Sequence, residues 1–404
     1  MVPDSRFGRA LMLRDGEGVT SDVAVVPAPL IPVVVRLDGR HTARDIAREL
    51  APPGEVDTLA AQIEQVVQEL DQALFLDNAR YRTERARLEG EFARSATRPA
   101  SHAGSAYHAE ASELKKFLEI ECFGAEPNGV ESPRRGLPGE LVGLIAPHID
   151  PWRGKVNYGH AYRMLRDAPP PPDTFVLLGT SHAPMREPFA LCRKSFDTPL
   201  GPVQADLGAI DVLARASTFD PYADLYNHKR EHSLELQAVF VKYLAGDRNV
   251  RIIPILCGLG AARGDHPEGD ARIEPFLRAL RGVCERGGRG GTLVIAGADL
   301  AHVGPRFGDD APYDAAQRLL LEKTDRASLA LAAQGDHRGF FAHVANDLET
   351  RRVCGLAPIY TLLRLMPAGA SGRIARYEQT VDPEEGSIVS HAAVGFYAGA
   401  AHRS

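Results

Sequence analysis

Cysteine is scarce in this sequence. Only five of the 404 residues are cysteines, an odd number, and no two of them form a C-x-x-C pair. This pattern argues against a disulfide framework, and a functional cysteine is expected to act as a thiolate instead. The five positions are Cys122, Cys192, Cys257, Cys284 and Cys354.

Long apolar runs and a strong charge of one sign are also missing. No apolar stretch approaches the roughly 20 residues that a membrane-spanning helix needs. Residues 1–20 carry acids and arginines where a signal peptide has an apolar core. The formal net charge of -6 gives no support to a surface that binds nucleic acid or anionic membranes. We therefore expect a cytoplasmic protein with no membrane and no nucleic-acid partner.

The length and composition are those of an ordinary globular protein with two domains. At 404 residues, with 44% hydrophobic and 25% charged residues, the chain exceeds one average core. We place an N-terminal module and its linker in residues 1–95 and a larger domain in residues 96–404. The charged and then small, polar stretch 81–103 is interpreted as the linker.

The N-terminal module is predicted to be a winged helix. Residues 31–37 favour a strand. Thr42 is typical of a helix cap, here before residues 43–50, and an apolar stripe from Leu59 to Leu74 indicates a longer helix. Residues 74–81 then favour a small β-wing.

From about Pro99 onwards, predicted strands alternate with predicted helices. This alternation indicates a three-layer α/β domain with a largely parallel central sheet. The predicted strands are residues 141–145, 174–178, 250–256, 292–296 and 388–396. The predicted helices are residues 112–120, 158–165, 209–214, 233–244, 274–284, 314–333 and 358–365.

Three of these strands are each followed closely by a histidine. His148 follows the first strand and His182 the second, while Asp299 and His302, one helical turn apart, follow the strand at residues 292–296. Continuous apolar strands that end at such polar residues place them at the carboxyl edge of a parallel sheet, where α/β proteins bind ligands. We therefore predict one shared site, although any single histidine is equally compatible with a structural role.

Cys354 is the natural fourth candidate for this site. It precedes the predicted helix that contains Pro358, and a thiol near a helix N-terminus is expected to have a lowered pKa. Imidazole and thiolate are good ligands for zinc, iron, copper or nickel when three or four of them converge.

Two further groups are candidates for acid–base or positioning roles. Glu231 and His232 open an amphipathic helix, and either residue suits orienting a ligand or moving a proton, or is simply part of a charged helix start. Asp299 is interpreted as a group beside the metal or as a weak oxygen ligand. The remaining histidines, among them His266 and His391, lack supporting context and are interpreted as structural or exposed.

Residues 98–400 resemble the MEMO family, known as the B component of the AmmeMemoRadiSam grouping. Seven motifs carry the resemblance in order: 98–107 (RPASHAGSAY), 146–148 (APH), 178–182 (LGTSH), 198–201 (TPLG), 231–235 (EHSLE), 298–302 (ADLAH) and 354–359 (CGLAPI).

The resemblance implies a fold similar to class III extradiol dioxygenases. It also implies a site that matches His148, His182, His302 and Cys354, with Asp299 close by. Members are described as binding iron or copper with a redox role, and the grouping implies a radical-SAM partner. The residues after His148 depart from the family pattern, which puts the pocket wall and substrate in doubt.

Residues 25–85 resemble the PqqD-like peptide-recognition modules, which capture peptides by adding a strand. The resemblance implies a peptide or protein partner, and a simple docking or stabilising appendage is the alternative. DNA binding is disfavoured because the second predicted helix is acidic.

The sequence leaves three functions open. The first is a redox metalloenzyme, with Fe(II) the foremost expectation and copper or zinc the alternatives. In it His148, His182 and Cys354 hold the metal, and His302 is either a further ligand or an acid–base group tuned by Asp299 and His232. The second is a non-catalytic metal-binding or scaffold protein. The third is a cysteine hydrolase with Cys354 as its nucleophile.

Overall fold

The structure is a computed structural model that describes residues 2–4, 8–124, 139–168, 171–259, 266–286 and 291–399. Contacts between residues divide the chain into two compact units, Met1–Arg94 and Ser95–Ser404. None of the helices in these described ranges is long and apolar enough to cross a membrane.

The described residues of the N-terminal unit form three antiparallel strands followed by four helices. Its elements are β1 (Val2–Asp4), β2 (Gly8–Arg14), β3 (Val23–Pro27), α1 (Ile31–Val34), α2 (Ala43–Leu50), α3 (Val56–Gln72) and α4 (Ala79–Arg94). Strand β2 lies between β1 and β3. Helix α2 begins at a capping box, in which Thr42 and Asp45 each accept a hydrogen bond from the other's main-chain N–H. The predicted pair of helices, α2 and α3, is therefore confirmed.

The strand predicted at residues 31–37 is wrong, because α1 occupies Ile31–Val34. Pro32 lies in the first turn of α1, where its missing N–H breaks no helical hydrogen bond. The short apolar run was compatible with either structure. One of its residues, Val33, is buried in the apolar cluster of this unit, and this packing selects the helix.

The predicted β-wing at residues 74–81 is also wrong, because no strand forms there and α4 begins at Ala79. The same helix extends through residues 81–94 of the predicted linker. The Asn78 side chain accepts hydrogen bonds from the main-chain N–H groups of Arg80 and Tyr81 at 3.0 and 3.1 Å, so it caps a helix where a turn was expected. Ion pairs one turn apart, such as Arg85–Glu89, support a helix with few apolar residues. Without that wing, the winged-helix and PqqD-like interpretation stays a prediction.

In the larger unit, the described residues form a nine-stranded sheet. The strands of the unit are β4 (Thr97–Arg98), β5 (Glu140–Ala146), β6 (Thr174–Thr180), β7 (Phe189–Leu191), β8 (Ser195–Phe196), β9 (Gln204–Ala205), β10 (Arg251–Cys257), β11 (Thr292–Gly297), β12 (Asp299–Val303), β13 (Ser371–Val381) and β14 (Ile388–Ala398). The main path through the sheet runs β12-β14-β5-β11-β6-β10-β7. Its centre, β5-β11-β6-β10, is parallel, and antiparallel strands flank it on both sides.

Helices cover both faces of this sheet. They are α5 (Ala111–Phe117), α6 (Pro151–Arg166), α7 (Leu207–Ala216), α8 (His232–Ala245), α9 (Ile273–Glu285), α10 (Ala315–Ala333), α11 (His337–Ala345), α12 (Leu348–Arg351) and α13 (Leu356–Leu365). Successive residues of one strand, such as Leu177 and Leu178, point to opposite faces of the sheet and pack into separate cores. One core contains α5, α6 and α8, and the other contains α7, α9, α10, α11 and α13. The predicted three-layer α/β fold with a largely parallel sheet is confirmed.

The strand order brings three strand ends together. Strands β5, β11 and β6 are neighbours and parallel, so their carboxyl ends at Ala146, Gly297 and Thr180 lie side by side. The interpretation of Asp299 and His302 as one helical turn apart is wrong. Both belong to β12, which pairs with β14 and has an irregular register between them.

Candidate metal centre

His148 follows the end of β5 and is almost fully buried. Its Nδ1 lies 2.9 Å from the carbonyl oxygen of Gly297, and its main-chain N–H donates to Oδ1 of Asp299 at 2.9 Å. An Nδ1–H that donates to a carbonyl leaves the lone pair on Nε2. Burial, together with nearby His182, lowers the pKa of His148 to about 3, so the ring is neutral and suited to bind a metal ion.

His182 follows the end of β6 and is held by the carboxylate of Glu231. Its Nδ1 lies 3.0 and 3.1 Å from the two carboxylate oxygens, and its main-chain N–H donates to one of them at 2.9 Å. Glu231 is the N-cap of α8 and also accepts from the N–H of Ser233. Burial opposes its ionisation, but the charge and hydrogen bonds of His182 hold the pKa of Glu231 well below its usual range. In the neutral imidazole, a carboxylate on Nδ1 again leaves Nε2 as the free nitrogen.

Cys354 lies just before α13, beside His148. Its Sγ is 3.2 Å from Nε2 of His148, and the hydroxyl of Thr180 donates to its main-chain carbonyl at 2.9 Å. The expected lowering of the thiol pKa is wrong for the metal-free protein. Burial raises the pKa of Cys354 well above its ordinary value, and the negative charge of Asp299 adds to the rise, so both outweigh the helix terminus.

These three residues form the centre of the site. One ligand atom from each of His148, His182 and Cys354 lies within 4.8 Å of the other two. A second group with the same spacing consists of His182, Glu231 and His232. Two imidazoles whose other nitrogens are already hydrogen-bonded, plus one sulfur, are a donor set that suits zinc, iron or copper.

His302 and Asp299 lie beside this trio. In the described part of the chain, His302 belongs to neither group of closely spaced ligand atoms. Its Nδ1 lies 3.2 Å from the carbonyl of Leu300 on the same strand, which leaves Nε2 free. Asp299 is buried, and its Oδ2 is 3.7 Å from Nε2 of His148. The choice between ligand and acid–base group for His302 stays a prediction.

His232 packs against both imidazoles of the centre. Its ring is stacked on that of His182 with centroids 4.5 Å apart, and it meets the ring of His148 edge-on at 5.3 Å. Its Nδ1 is 3.5 Å from Oε1 of Glu231. The sequence-predicted candidates Glu231 and His232 therefore both reach the site, although Glu231 acts through His182.

Reasoning from residue types missed a second carboxylate and its partners. Glu235, fully buried on α8, accepts hydrogen bonds from the main-chain N–H and Nδ1 of His102 at 2.8 and 2.9 Å. It also accepts from the hydroxyl of Tyr107 at 2.5 Å and from the guanidinium of Arg98. The ring of His102 lies 5.6 Å from that of His232. The motifs at 98–107 and 231–235 were the available signal, because they contain every member of this cluster.

His391 was also passed over, and it is fully buried behind Asp299. The two residues face each other in the pairing of β12 with β14. Nδ1 of His391 lies 2.7 Å from Nδ2 of Asn157, and Nε2 lies 2.9 Å from the hydroxyl of Thr380. No periodicity predicts this contact, because it depends on the pairing of strands that are far apart in the chain.

A cavity of about 1140 Å³ opens onto His182 and Cys354. The residues after His148 that depart from the family pattern are not among the described residues that line this cavity. Ile149 is buried, and Asp150 accepts a hydrogen bond from the N–H of Arg153 as the cap of α6.

The fold and the trio together define an α/β protein with a candidate metal centre at the carboxyl edge of its parallel sheet. The sequence matches the Memo-like protein family over residues 98–395, and the chain belongs to that family. A MEMO1 family protein from Aquifex aeolicus is 26% identical over 393 residues, which are 97% of each chain. One from Thermus thermophilus is 30% identical over 320 residues, 78% of this chain and 85% of that protein. One from Methanopyrus kandleri is 28% identical over 305 residues, 74% of this chain and 98% of that protein.

Proposed function

We propose that this protein is a redox protein that binds a transition-metal ion through His148, His182 and Cys354. The observation that carries the proposal is the spacing of the three ligand atoms, which lie within 4.8 Å of one another although they come from the ends of β5 and β6 and from the start of α13. Each imidazole is also fixed through its Nδ1, by a carbonyl or by a carboxylate, as is usual for metal-binding histidines.

The donor set fits the metals expected from the sequence. Thiolate and imidazole suit Fe(II), our first choice, as well as copper and zinc. When bound, iron or copper supplies electron-transfer chemistry, whereas zinc supplies Lewis acidity.

The surrounding residues then orient ligands and handle protons. Glu231 holds Nδ1 of His182, and the carbonyl of Gly297 holds Nδ1 of His148. Nε2 of each ring therefore faces away from these partners. His302, with a free Nε2, is the candidate acid–base group, and Asp299 is close enough to His148 to influence it electrostatically.

Elemental analysis tests this proposal. Protein purified without an affinity metal column should carry about one metal ion per chain, and Cys354→Ser should lose most of it because sulfur is replaced by a weaker ligand. Cys284→Ser is the matched control, since that half-buried thiol lies outside both groups of ligand atoms. Full metal content in Cys354→Ser would contradict the assignment. Oxygen consumption by the reduced, iron-loaded protein separates a redox enzyme from a non-catalytic metal-binding protein.

A cysteine hydrolase is a second candidate because of one contact. The 3.2 Å distance between Sγ of Cys354 and Nε2 of His148 also suits a thiol and its base. The raised pKa of the thiol argues against a free nucleophile. Labelling with iodoacetamide decides between the two: a hydrolase reacts quickly at Cys354 in metal-loaded protein, whereas a ligated thiolate is protected.

The N-terminal unit supports a peptide-binding role that fits the scaffold alternative. Strand β3 is an edge of its sheet, and Val23 and Val25 on it are about half exposed. An edge strand with exposed apolar side chains is a surface to which a peptide can add a further strand. Peptides selected on the full chain should lose binding when Val23 and Val25 are both changed to Glu, whereas Val35→Glu, at another exposed valine, should leave it intact.

A further inference from the structure

A second set of closely spaced ligand atoms lies next to the trio and shares one histidine with it. One ligand atom from each of His182, Glu231 and His232 lies within 4.8 Å of the other two. Nδ1 of His182 is 3.0 Å from Oε1 of Glu231, and Nδ1 of His232 is 3.5 Å from the same oxygen. Two imidazole nitrogens therefore lie around one carboxylate oxygen.

The spacing of these atoms suits a bound metal ion. Nitrogen and oxygen ligands lie about 2.0–2.2 Å from zinc, which places neighbouring ligand atoms of a tetrahedral ion roughly 3.4 Å apart. The two measured distances, 3.0 and 3.5 Å, lie on either side of that value. The distance from His232 also exceeds the roughly 2.7–3.2 Å of an ordinary N–H···O hydrogen bond, so such a bond does not account for the position of this nitrogen.

The three groups are held in place before any ion binds. The rings of His182 and His232 are stacked, with centroids 4.5 Å apart and planes inclined by 22°. Glu231 is fixed at the start of α8, where it accepts a hydrogen bond from the main-chain N–H of Ser233 at 2.9 Å. Little movement is therefore needed to bring the ligand atoms onto one ion.

This second group is accessible and differs chemically from the trio. The side chains of His182 and His232 are 41% and 33% exposed, so an ion reaches them from solvent. Two imidazoles and one carboxylate are the ligand set of many non-haem iron sites, and they also suit zinc. Because the group contains no sulfur, it favours Fe(II) or zinc over Cu(I).

We propose that His182, Glu231 and His232 bind a second transition-metal ion beside the first. His182 then bridges the two ions, with Nε2 on the first and Nδ1 on the second, and the proton of Nδ1 is released to solvent. The second ion binds more weakly, because it replaces the hydrogen bond between His182 and Glu231 and is repelled by the first ion. This site goes beyond the proposed function, since neither Glu231 nor His232 is a ligand of the first ion.

Titration with Co²⁺, followed by equilibrium dialysis and by absorption spectroscopy, tests the second site. The wild-type chain should bind two ions, and only the first should produce thiolate-to-cobalt charge-transfer absorption, since Cys354 belongs to the trio alone. His232→Phe keeps a ring that can stack and removes the nitrogen ligand. It should weaken the second ion at least about a hundredfold, because losing a direct ligand costs more than the ten- to hundredfold effect of losing an outer hydrogen bond.

His108→Phe is the matched control. It changes another partly exposed histidine, which packs against Trp152 and, in the described part of the chain, belongs to neither group of ligand atoms. This variant should bind both ions. The same cobalt content in the wild type and in His232→Phe, or loss of the thiolate absorption in His232→Phe, would overturn the second site.

Cys354→Ser separates this result from the metal proposal. The variant should lose the first ion together with the thiolate absorption and keep the weaker ion, because the second group contains no cysteine. An ion that His232→Phe removes, in a protein that shows no thiolate absorption, supports the second site while the proposed function fails. Thiolate absorption from a single ion that His232→Phe retains does the opposite.

Discussion

Two carboxylates at the start of α8 hold two histidines in the same way. Glu231 accepts hydrogen bonds from the main-chain N–H and Nδ1 of His182, and Glu235 accepts from the same two groups of His102. The carboxylates are four residues apart, which places them on one face of the helix start. Locally, the two arrangements are equivalent.

Their surroundings differ. His182 lies at the end of β6, where its free nitrogen joins the trio with His148 and Cys354. His102 lies in the segment that opens the larger unit, and its carboxylate is also bound by Arg98 and Tyr107. The difference is that the carboxylate–imidazole pair at His182 lies where the sheet brings further candidate ligands together, whereas the pair at His102 does not. We therefore expect Glu231 to serve the metal and Glu235 to serve stability.

Of the substitutions that test this difference, Glu235→Ala should have the largest effect. Removing the carboxylate leaves the buried guanidinium of Arg98 without its charged partner, which should cost about 3–5 kcal/mol in the free energy of unfolding. Chemical denaturation measures this loss. The metal content of the folded fraction should stay unchanged, and a loss of metal without a loss of stability would reverse the roles assigned to the two carboxylates.

The pH dependence of unfolding is a second test of the role of Glu235 in stability. Burial opposes ionisation of Glu235, but His102, Arg98 and Tyr107 lower its pKa from the ordinary 4.5 to about 2 in the folded protein. A lowered folded pKa gives stability that is fully present above about pH 4.5 and is lost as the pH falls towards 2. The contribution is about 3 kcal/mol. The free energy of unfolding should change less between these pH values in Glu235→Gln than in the wild type. Denaturation at several pH values measures it, and the same pH dependence in both proteins would exclude the linkage.

Glu231→Gln should act on the metal. The amide has an N–H₂ group that cannot accept from His182, so the imidazole loses part of its support, and metal affinity should fall about ten- to a hundredfold. Competition with a chromophoric chelator measures the change. Glu235→Gln is the matched control and should keep the wild-type affinity. An equal fall in metal affinity in both variants would mean that the carboxylates of Glu231 and Glu235 do not differ in function.

The smallest effect is expected from Tyr107→Phe. This change removes one donor to Glu235 and leaves the carboxylate, His102 and Arg98 in place. A hydrogen bond to a charged acceptor contributes about 1.5–3 kcal/mol, so stability should fall by the lower part of that range while metal affinity is unaffected. Thermal unfolding of the two proteins at neutral pH checks it, and an unchanged midpoint would show that the remaining donors compensate.

Many of the regular elements of the larger unit were predictable because their signals are local, although β13 and α11, among others, were not predicted. All five predicted strands and the seven predicted helices of this unit are present, with ends shifted by up to seven residues, the largest shift being at the start of α6. An apolar run such as residues 174–178 encodes a strand buried on both faces without reference to any distant residue. The N-terminal unit was harder, because the short run at residues 31–37 suits a strand or a helix and only packing selects one.

The site was predictable only in its outline. Histidines at strand ends pointed to one edge of the sheet, but the pairing of Glu231 with His182 and of His391 with Asn157 had no local signal. The lowered thiol pKa was a wrong expectation for the same reason, because helix position is visible in sequence whereas burial and neighbouring charge are not.

By itself, the sequence determined the α/β alternation, the polar residues at the strand ends, and through its seven motifs the family. Only the tertiary structure decided that Cys354 lies 3.2 Å from a histidine 206 residues away, and that the ligand atoms of His148, His182 and Cys354 lie within 4.8 Å of one another. The physical reason is that periodicity and caps depend on neighbouring residues. A ligand set instead depends on the order in which strands pair, and many segments of the chain determine that order together.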